Sequence, residues 1–384
     1  MITIQFFGFL LLGIIVYWVF PKQYYRNIWL SLISLIYLYL LDKNAPVIVV
    51  ALSIFSYIMA SGIEKSQKGK AVWHKSGVIV IILVLVFFKY LGFFNTIFST
   101  LITDFPKFPV DKLLLPLGIS YITFKHISFL TDIYWGLTKK GSFIQFLAYS
   151  SLFTIFLAGP IERYERFLPQ VDVKEQKFKT DFLEKGFERI VYGIFKKAVI
   201  ADWIGYFIKD MWLSSNQNNY LIGVFALTGY SIQIYMDFSG YSDIAIGSSR
   251  LFGLKIMENF NYPYLQPNIS QFWRNWHISL SDWIRDYLFS PLSFWMAHLS
   301  ANKIWTILFV PVIAMGLCGF WHGAAWHFLF WGMWHGIGLS VYQVWNNIKR
   351  KNKRLAEISE ELWFNYTAVL STFIFVTIGW LWFR

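Results

Sequence analysis

Apolar residues fill this chain in long blocks nearly free of charge, at residues 2–20, 28–41, 45–63, 78–98 and 366–383. Blocks near the roughly 20 residues that cross a hydrocarbon core as a helix predict membrane spans. The first block has no basic leading region and no small-residue cleavage site, so it reads as a retained span and not as a signal peptide. Two more apolar stretches, 113–135 and 143–158, precede a highly charged segment at 162–189. The first of them contains "LPLGIS" (115–120), where a proline and a glycine predict an interrupted helix or a re-entry. If both stretches cross, the charged segment lies outside; if one is re-entrant, it lies inside. No internal repeat and no second soluble domain is visible. The pattern predicts a single membrane domain over 1–384, all-α and polytopic, with about 9–11 membrane helices plus re-entrant or interfacial segments.

Basic loops orient the chain. Lys22 and Arg26 lie between the first two spans, and Lys65, Lys68, Lys70 and Lys75 follow the third. Placing both loops in the cytoplasm puts the N-terminus and the turn at 42–44 outside. The run "KRKNKR" (349–354) is then cytoplasmic, and anionic membrane lipids are its plainest partner.

Composition supports the same setting. The chain is 56% hydrophobic and 15% charged, against about 25% charged residues in soluble domains, which excludes a soluble globule. A net charge of +12 would fit nucleic acid, but the basic residues gather in loops beside apolar blocks, so no nucleic-acid partner is expected. The one cysteine, Cys318, excludes an intrachain disulfide and a multi-cysteine metal site, and reads as a small buried hydrophobe.

Ionisable groups at membrane depth are costly and usually mark a pathway or a site. Four clusters stand out: Lys125, His126 and Asp132; Glu162, Arg163, Glu165 and Arg166; Asp237, Ser239, Tyr241, Asp243 and Arg250; and Arg274, His277, Ser279, Ser281, Asp282, Arg285 and Asp286. The last cluster is interleaved with Trp273, Trp276, Trp283, Ile284, Tyr287 and Leu288 at helical intervals. That spacing predicts one amphipathic helix over 273–288, lying in the interface or lining the entrance for an anionic cofactor.

The stretch "GFWHGAAWHFLFWGMWHG" (319–336) holds three histidines and no formal charge. As one continuous helix it would point His322 and His327 about 140° apart, and His322 and His335 likewise. No pair has the spacing of a helical zinc site and no carboxylate is present, so no metal is expected. A lone histidine in an apolar helix is more often a hydrogen-bonded packing residue, and His327 reads so. His322 stands between Gly319 and Gly323, where small residues would leave room for a ligand beside a neutral imidazole, a ready general base. His335, also followed by glycine, is a weaker candidate.

"DFSGYSDIAIGSSRLFG", "FWRNWHISLSDWIRDYLF" and "GFWHGAAWHFLFWGMWHG" together resemble the membrane-bound O-acyltransferase superfamily. "LPLGISYITFKHISFLTDIYWG", "AGPIERYERFLPQ" and "GIFKKAVIAD" are similar to its bacterial branch that acetylates extracellular polysaccharides, and the teichoic-acid D-alanylating branch shares the later motifs. The resemblance covers nearly the whole chain, though family members often continue past a "WLWFR"-like segment, so a C-terminal portion is expected to be missing. It implies membrane helices around a central tunnel and acyl transfer with an essential histidine at His322. It also implies a second functional histidine at His277, with His335, Asp237 and Trp276 as secondary candidates. Acetyl-CoA would be the donor, with Arg274 and Arg285 near its phosphates. The partner would be an extracytoplasmic SGNH-type acetyltransferase or an acyl carrier, and the location the bacterial cytoplasmic membrane. D-alanyl transfer to teichoic acid is the alternative substrate reading. A lipid-linked glycan transporter, or a scaffold for a partner acetyltransferase, is the alternative class.

Overall fold

A computed structural model describes residues 4–102, 116–215, 220–299 and 303–384. The described residues are mostly helical and form seventeen α-helices. It clusters into two compact units, Met1–Tyr192 with Tyr241–Met257, and Gly193–Gly240 with Glu258–Arg384.

The first unit holds α1 (Ile4–Val19), α2 (Gln23–Leu41), α3 (Ala45–Lys65), α4 (Lys70–Leu101), α5 (Ile119–Trp135), α6 (Phe143–Ser151), α7 (Tyr164–Val171) and most of α8 (Thr180–Ile194). Helices α3 and α4 are long and apolar enough to cross a membrane. Their outer faces leave residues such as Ile54, Ile58, Leu83 and Phe87 exposed, as lipid contact requires. The start of the 113–135 stretch lies outside the described residues, but the interruption at "LPLGIS" is present: Gly118 takes φ +75° and α5 begins at Ile119. Ser142 and Gln145 form a reciprocal cap on α6. Nine residues of helix span only about 14 Å of a roughly 30 Å core, and 152–158 continue as turns, so the 143–158 stretch does not cross as a helix. Of the two threadings, the one in which both stretches cross as helices is thus not the one observed.

Several members of the polar clusters in this unit are hydrogen-bonded or ion-paired within the fold. His126 lies between Ser56 Oγ (2.9 Å) and Ser150 Oγ (2.7 Å), and Lys125 Nζ donates to the Tyr149 carbonyl beneath its own ring. The buried Glu162 carboxylate accepts from Met257 N (2.7 Å) and Arg166 Nε (3.1 Å). Asp243 pairs with Arg189, and Arg250 with Asp181, each at 2.6 Å.

The second unit holds α9 (Asp202–Ser215), α11 (Ile269–Asn275), α12 (Ile278–Ile284), α13 (Ser290–Leu299), α14 (Lys303–His322), α15 (Trp326–Lys351), α16 (Lys353–Ile358) and α17 (Leu362–Phe383). Helix α10 (Tyr220–Leu251) contributes Tyr220–Gly240 here and its remainder to the first unit. Helices α10, α14 from Ile304, and α17 are long and apolar enough to cross. The expected single helix over 273–288 is instead three pieces. Helix α11 ends at Asn275, α12 begins at Ile278, and Arg285–Phe289 forms a π-type turn. Trp273, Trp276, Trp283 and Ile284 are buried, so this segment packs into protein instead of lying in the interface.

The expected continuous helix over 319–336 is also corrected. Helix α14 ends at His322 and α15 starts at Trp326, so the two histidines flanking the turn belong to the arms of a hairpin. Small residues zip the arms together. A Cβ on Gly319 would lie 2.1 Å from the Phe328 carbonyl oxygen, and one on Gly332 2.1 Å from that of Met315.

Candidate active site

His277 sits between α11 and α12 with φ +43°, a left-handed conformation that a residue with a side chain adopts only where its surroundings fix it. Residues 259–261 supply the fixing. Ile278 N donates to Asn259 O (2.9 Å), Asn261 N donates to Asn275 O (3.0 Å), and Phe260 and Trp276 bridge between them. The buried imidazole stands edge-on to Phe238, 4.7 Å between centroids, with Nδ1 2.9 Å from Asn259 Oδ1. Its Nε2 is buried and has no hydrogen-bond partner among the described residues. Burial first, and the neighbouring His322 second, push the His277 pKa well below the usual histidine value, so the ring is neutral.

His322 ends α14, half-buried, its ring edge-on to Trp331 (5.2 Å) and Phe383 (5.1 Å). Trp331 is the hub of the cluster: its ring also meets His335 (5.0 Å), Trp273 (5.8 Å) and Trp380 (5.9 Å). His335 lies one turn beyond Trp331 on the same face of α15 and is fully buried. Both of its ring nitrogens, and Nε1 of Trp273 and Trp331, lack hydrogen-bond partners among the described residues. A buried polar atom left unpaired costs about 1–3 kcal/mol, and native proteins carry few. Five such atoms on His277, His335, Trp273 and Trp331 lie together here, which makes this cluster a candidate for polar chemistry.

The structure brings His277, His322, His335 and Trp276 into one aromatic cluster, with Trp276 packed on Phe260, Tyr264, Phe272 and Trp380. It places the other candidates elsewhere. Asp237 pairs with Lys197 at 2.5 Å; Arg274 is exposed on α11; Arg285 is held by Asp282 (2.6 Å) and Asp286 (2.9 Å), which offset its charge. The gap left by Gly323 itself is filled by the Phe328 ring, which a Cβ there would meet at 2.1 Å. His327, exposed, donates through Nδ1 to the Trp382 carbonyl (2.7 Å), which ties α15 to the end of α17.

A groove of about 710 Å³ runs between α15 and α17 within this unit. Ile337, Val341, Trp345 and Lys349 line it at four-residue intervals, a stripe of about 18 Å. Lys349 stands at one end. Phe375 stands at the other, 5.9 Å between centroids from His335. Sequence reasoning missed Asn259, Trp273, Trp331 and Lys349 as site residues. Trp331 and Trp273 left a local signal, their i, i+4 spacing to His335 and His277.

Buried histidines and indole donors without partners among the described residues, in a unit with three helices long and apolar enough to cross a membrane, make this cluster the candidate site. A model of the membrane-bound O-acyltransferase family matches residues 137–380, which include all three histidines. The chain is 33% identical to the probable alginate O-acetylase AlgI of Azotobacter vinelandii, over 98% of this chain and 73% of that one. It is 31% identical to the peptidoglycan O-acetyltransferase of Helicobacter pylori, over 98% and 75%. It is also 31% identical to the teichoic acid D-alanyltransferase of Bacillus subtilis, over 97% and 93%. The chain belongs to the membrane-bound O-acyltransferase family: it is a multi-pass membrane protein and an O-acyltransferase.

Proposed function

We propose that this protein moves an acetyl group from cytoplasmic acetyl-CoA to a hydroxyl acceptor for extracytoplasmic polysaccharide O-acetylation, in a bacterial cytoplasmic membrane. His322 is the general base. It takes the hydroxyl proton as the oxygen attacks the thioester carbonyl, and returns it to the sulfur as the C–S bond breaks. The acceptor oxygen thus gains the acetyl group and coenzyme A leaves as the thiol. The Trp273 and Trp331 indole N–H groups stabilise the oxyanion, since they are buried donors with no partner among the described residues. His277, neutral, accepts a hydrogen bond from a neighbouring O–H of the acceptor and orients it. The single observation that carries this reading is the ring cluster joining His322, Trp331 and His335, beside a His277 with an unpaired Nε2.

The groove supports acetyl-CoA as donor. Its length suits an extended thioester arm, its inner end reaches Phe375 beside His335, and Lys349 at its outer end suits a phosphate. In this reading Lys349 replaces Arg274 and Arg285 as the phosphate contact. The acetylated product is handed to an SGNH-type acetyltransferase or another acyl-carrying partner outside. D-alanyl transfer remains the second reading, favoured by the 93% coverage of the Bacillus subtilis relative. Proteoliposomes offered [14C]acetyl-CoA or a D-alanyl-charged carrier separate the two. Turnover of acetyl-CoA is the expected result; use of the D-alanyl donor alone overturns it.

A further inference from the structure

We infer that Asn259 is a positioning residue that fixes His277 in the Nδ1–H tautomer and so leaves a lone pair on Nε2 facing the reacting groups. The inference rests on the role given to His277 above and deepens it. Three groups converge on one atom, Asn259 Oδ1: His277 Nδ1 at 2.9 Å, Ser279 Oγ at 2.8 Å and Ser279 N at 3.3 Å. A backbone N–H can only donate, so the atom that receives it is the amide oxygen and not the nitrogen. An oxygen acceptor in turn requires the proton on His277 Nδ1. A neutral imidazole carries one proton, so Nε2 is the acceptor.

The clamp is backed by the main chain. Asn259 O holds Ile278 N, so the residue that sets the tautomer also pins the left-handed turn that aims the ring. Phe238 of α10 covers the ring edge-on and carries no charge. From α14, His322 is the one titratable group among the described residues that acts on His277 electrostatically. An imidazole with its Nδ1 proton committed offers no N–H at Nε2. Hence His277 cannot stabilise the oxyanion in its resting state, and that task falls to the indoles.

Removing the amide frees both tautomers. In Asn259→Ala the Nε2–H form becomes populated, and kcat falls by about 10-fold or more, toward the roughly 10²–10⁴-fold of losing proton-transfer help altogether. Asn259→Asp restores an acceptor at the same place and rescues the tautomer. Its carboxylate also favours the imidazolium. Because His277 works only when neutral, activity is lost as pH falls through its pKa, so the acid limb of the Asp variant moves to higher pH. A residue needed only for folding would move neither tautomer nor pH limb.

The test is ¹⁵N NMR of histidine-labelled protein in nanodiscs, with His277 assigned by its disappearance in His277→Gln, alongside the pH profile of kcat for acetyl transfer. The expected spectrum has His277 protonated on Nδ1 in the wild type and Asn259→Asp, and as a tautomer mixture in Asn259→Ala. Ser279→Ala, which keeps the amide oxygen and the backbone donor, retains the Nδ1–H form and shows that the spectrum reports Asn259. A wild-type His277 protonated on Nε2, or a tautomer indifferent to Asn259→Ala, overturns the inference. The spectra do not depend on turnover. Full activity in His277→Gln with an intact clamp would instead overturn the role given to His277.

Discussion

Replacing Gly332 by alanine forces apart the two helices that carry the histidines. The new methyl would lie 2.1 Å from the Met315 carbonyl oxygen and 3.0 Å from Gly316 Cα, whereas ordinary contact begins near 3.4 Å. Both obstacles are backbone, so no side chain can swing away, and α14 and α15 must part by about 1 Å. Overpacking of this kind costs roughly 1–3 kcal/mol, offset by up to about 1 kcal/mol of helix propensity gained by replacing glycine. Activity suffers more than stability. Gly332 adjoins Trp331, the ring shared by His322 and His335, and a displacement near 1 Å at reacting groups costs about 10²-fold in rate. Gly316→Ala is the matched control. It sits on the same seam, gains the same propensity, and its methyl meets only Leu329 and Met333 side chains at 3.6 Å. Thermal unfolding and acetyl-transfer kcat of both variants in one nanodisc preparation decide the matter. Gly332→Ala should be slower by about 10²-fold while Gly316→Ala resembles the wild type; equal rates in the two variants would refute the packing account.

Three further outcomes follow from the same geometry. Lys349→Gln should raise KM for acetyl-CoA with kcat little changed, because a distant phosphate binds alike in ground and transition states, and the difference from wild type should shrink with added salt; Arg285→Gln, already offset by two carboxylates, should change KM little. His327→Gln should retain activity, since its ring only ties α15 to the Trp382 carbonyl, and loss of turnover without loss of fold would contradict that. In a background lacking Cys318, single cysteines at Ser359 and Lys43 should label from opposite sides of sealed vesicles; labelling from one side would refute the orientation drawn from the basic loops.

Much of the fold is written locally. Helices α3, α4 and α17 coincide with uninterrupted apolar blocks, so a length rule finds them. Helix α10 does not stand out as one apolar block, because Asp237, Asp243 and Arg250 interrupt its second half, and their partners Lys197, Arg189 and Asp181 lie far away in sequence. Two breaks were invisible for the same reason. Periodicity through 273–288 is helical, yet the chain turns at His277 because residues 259–261 pair with it. Periodicity through 319–336 is helical too, yet Gly319 and Gly332 let α15 fold back onto α14. The histidines themselves stand out in an apolar sequence. Asn259 does not, since its meaning arises only when Oδ1 meets a ring eighteen residues later. Lys349 reads as one member of a basic run until the groove beside it is known.

The central claim is that His322 is the base for acetyl transfer from coenzyme A. Proteoliposomes containing wild type or His322→Gln, given [14C]acetyl-CoA and a soluble hydroxyl acceptor, test it directly. Glutamine keeps volume and hydrogen bonding but cannot take a proton, so the variant should insert and unfold like the wild type yet transfer acetyl about 10²–10⁴-fold more slowly. Transfer at the wild-type rate by a well-folded His322→Gln protein would contradict the account.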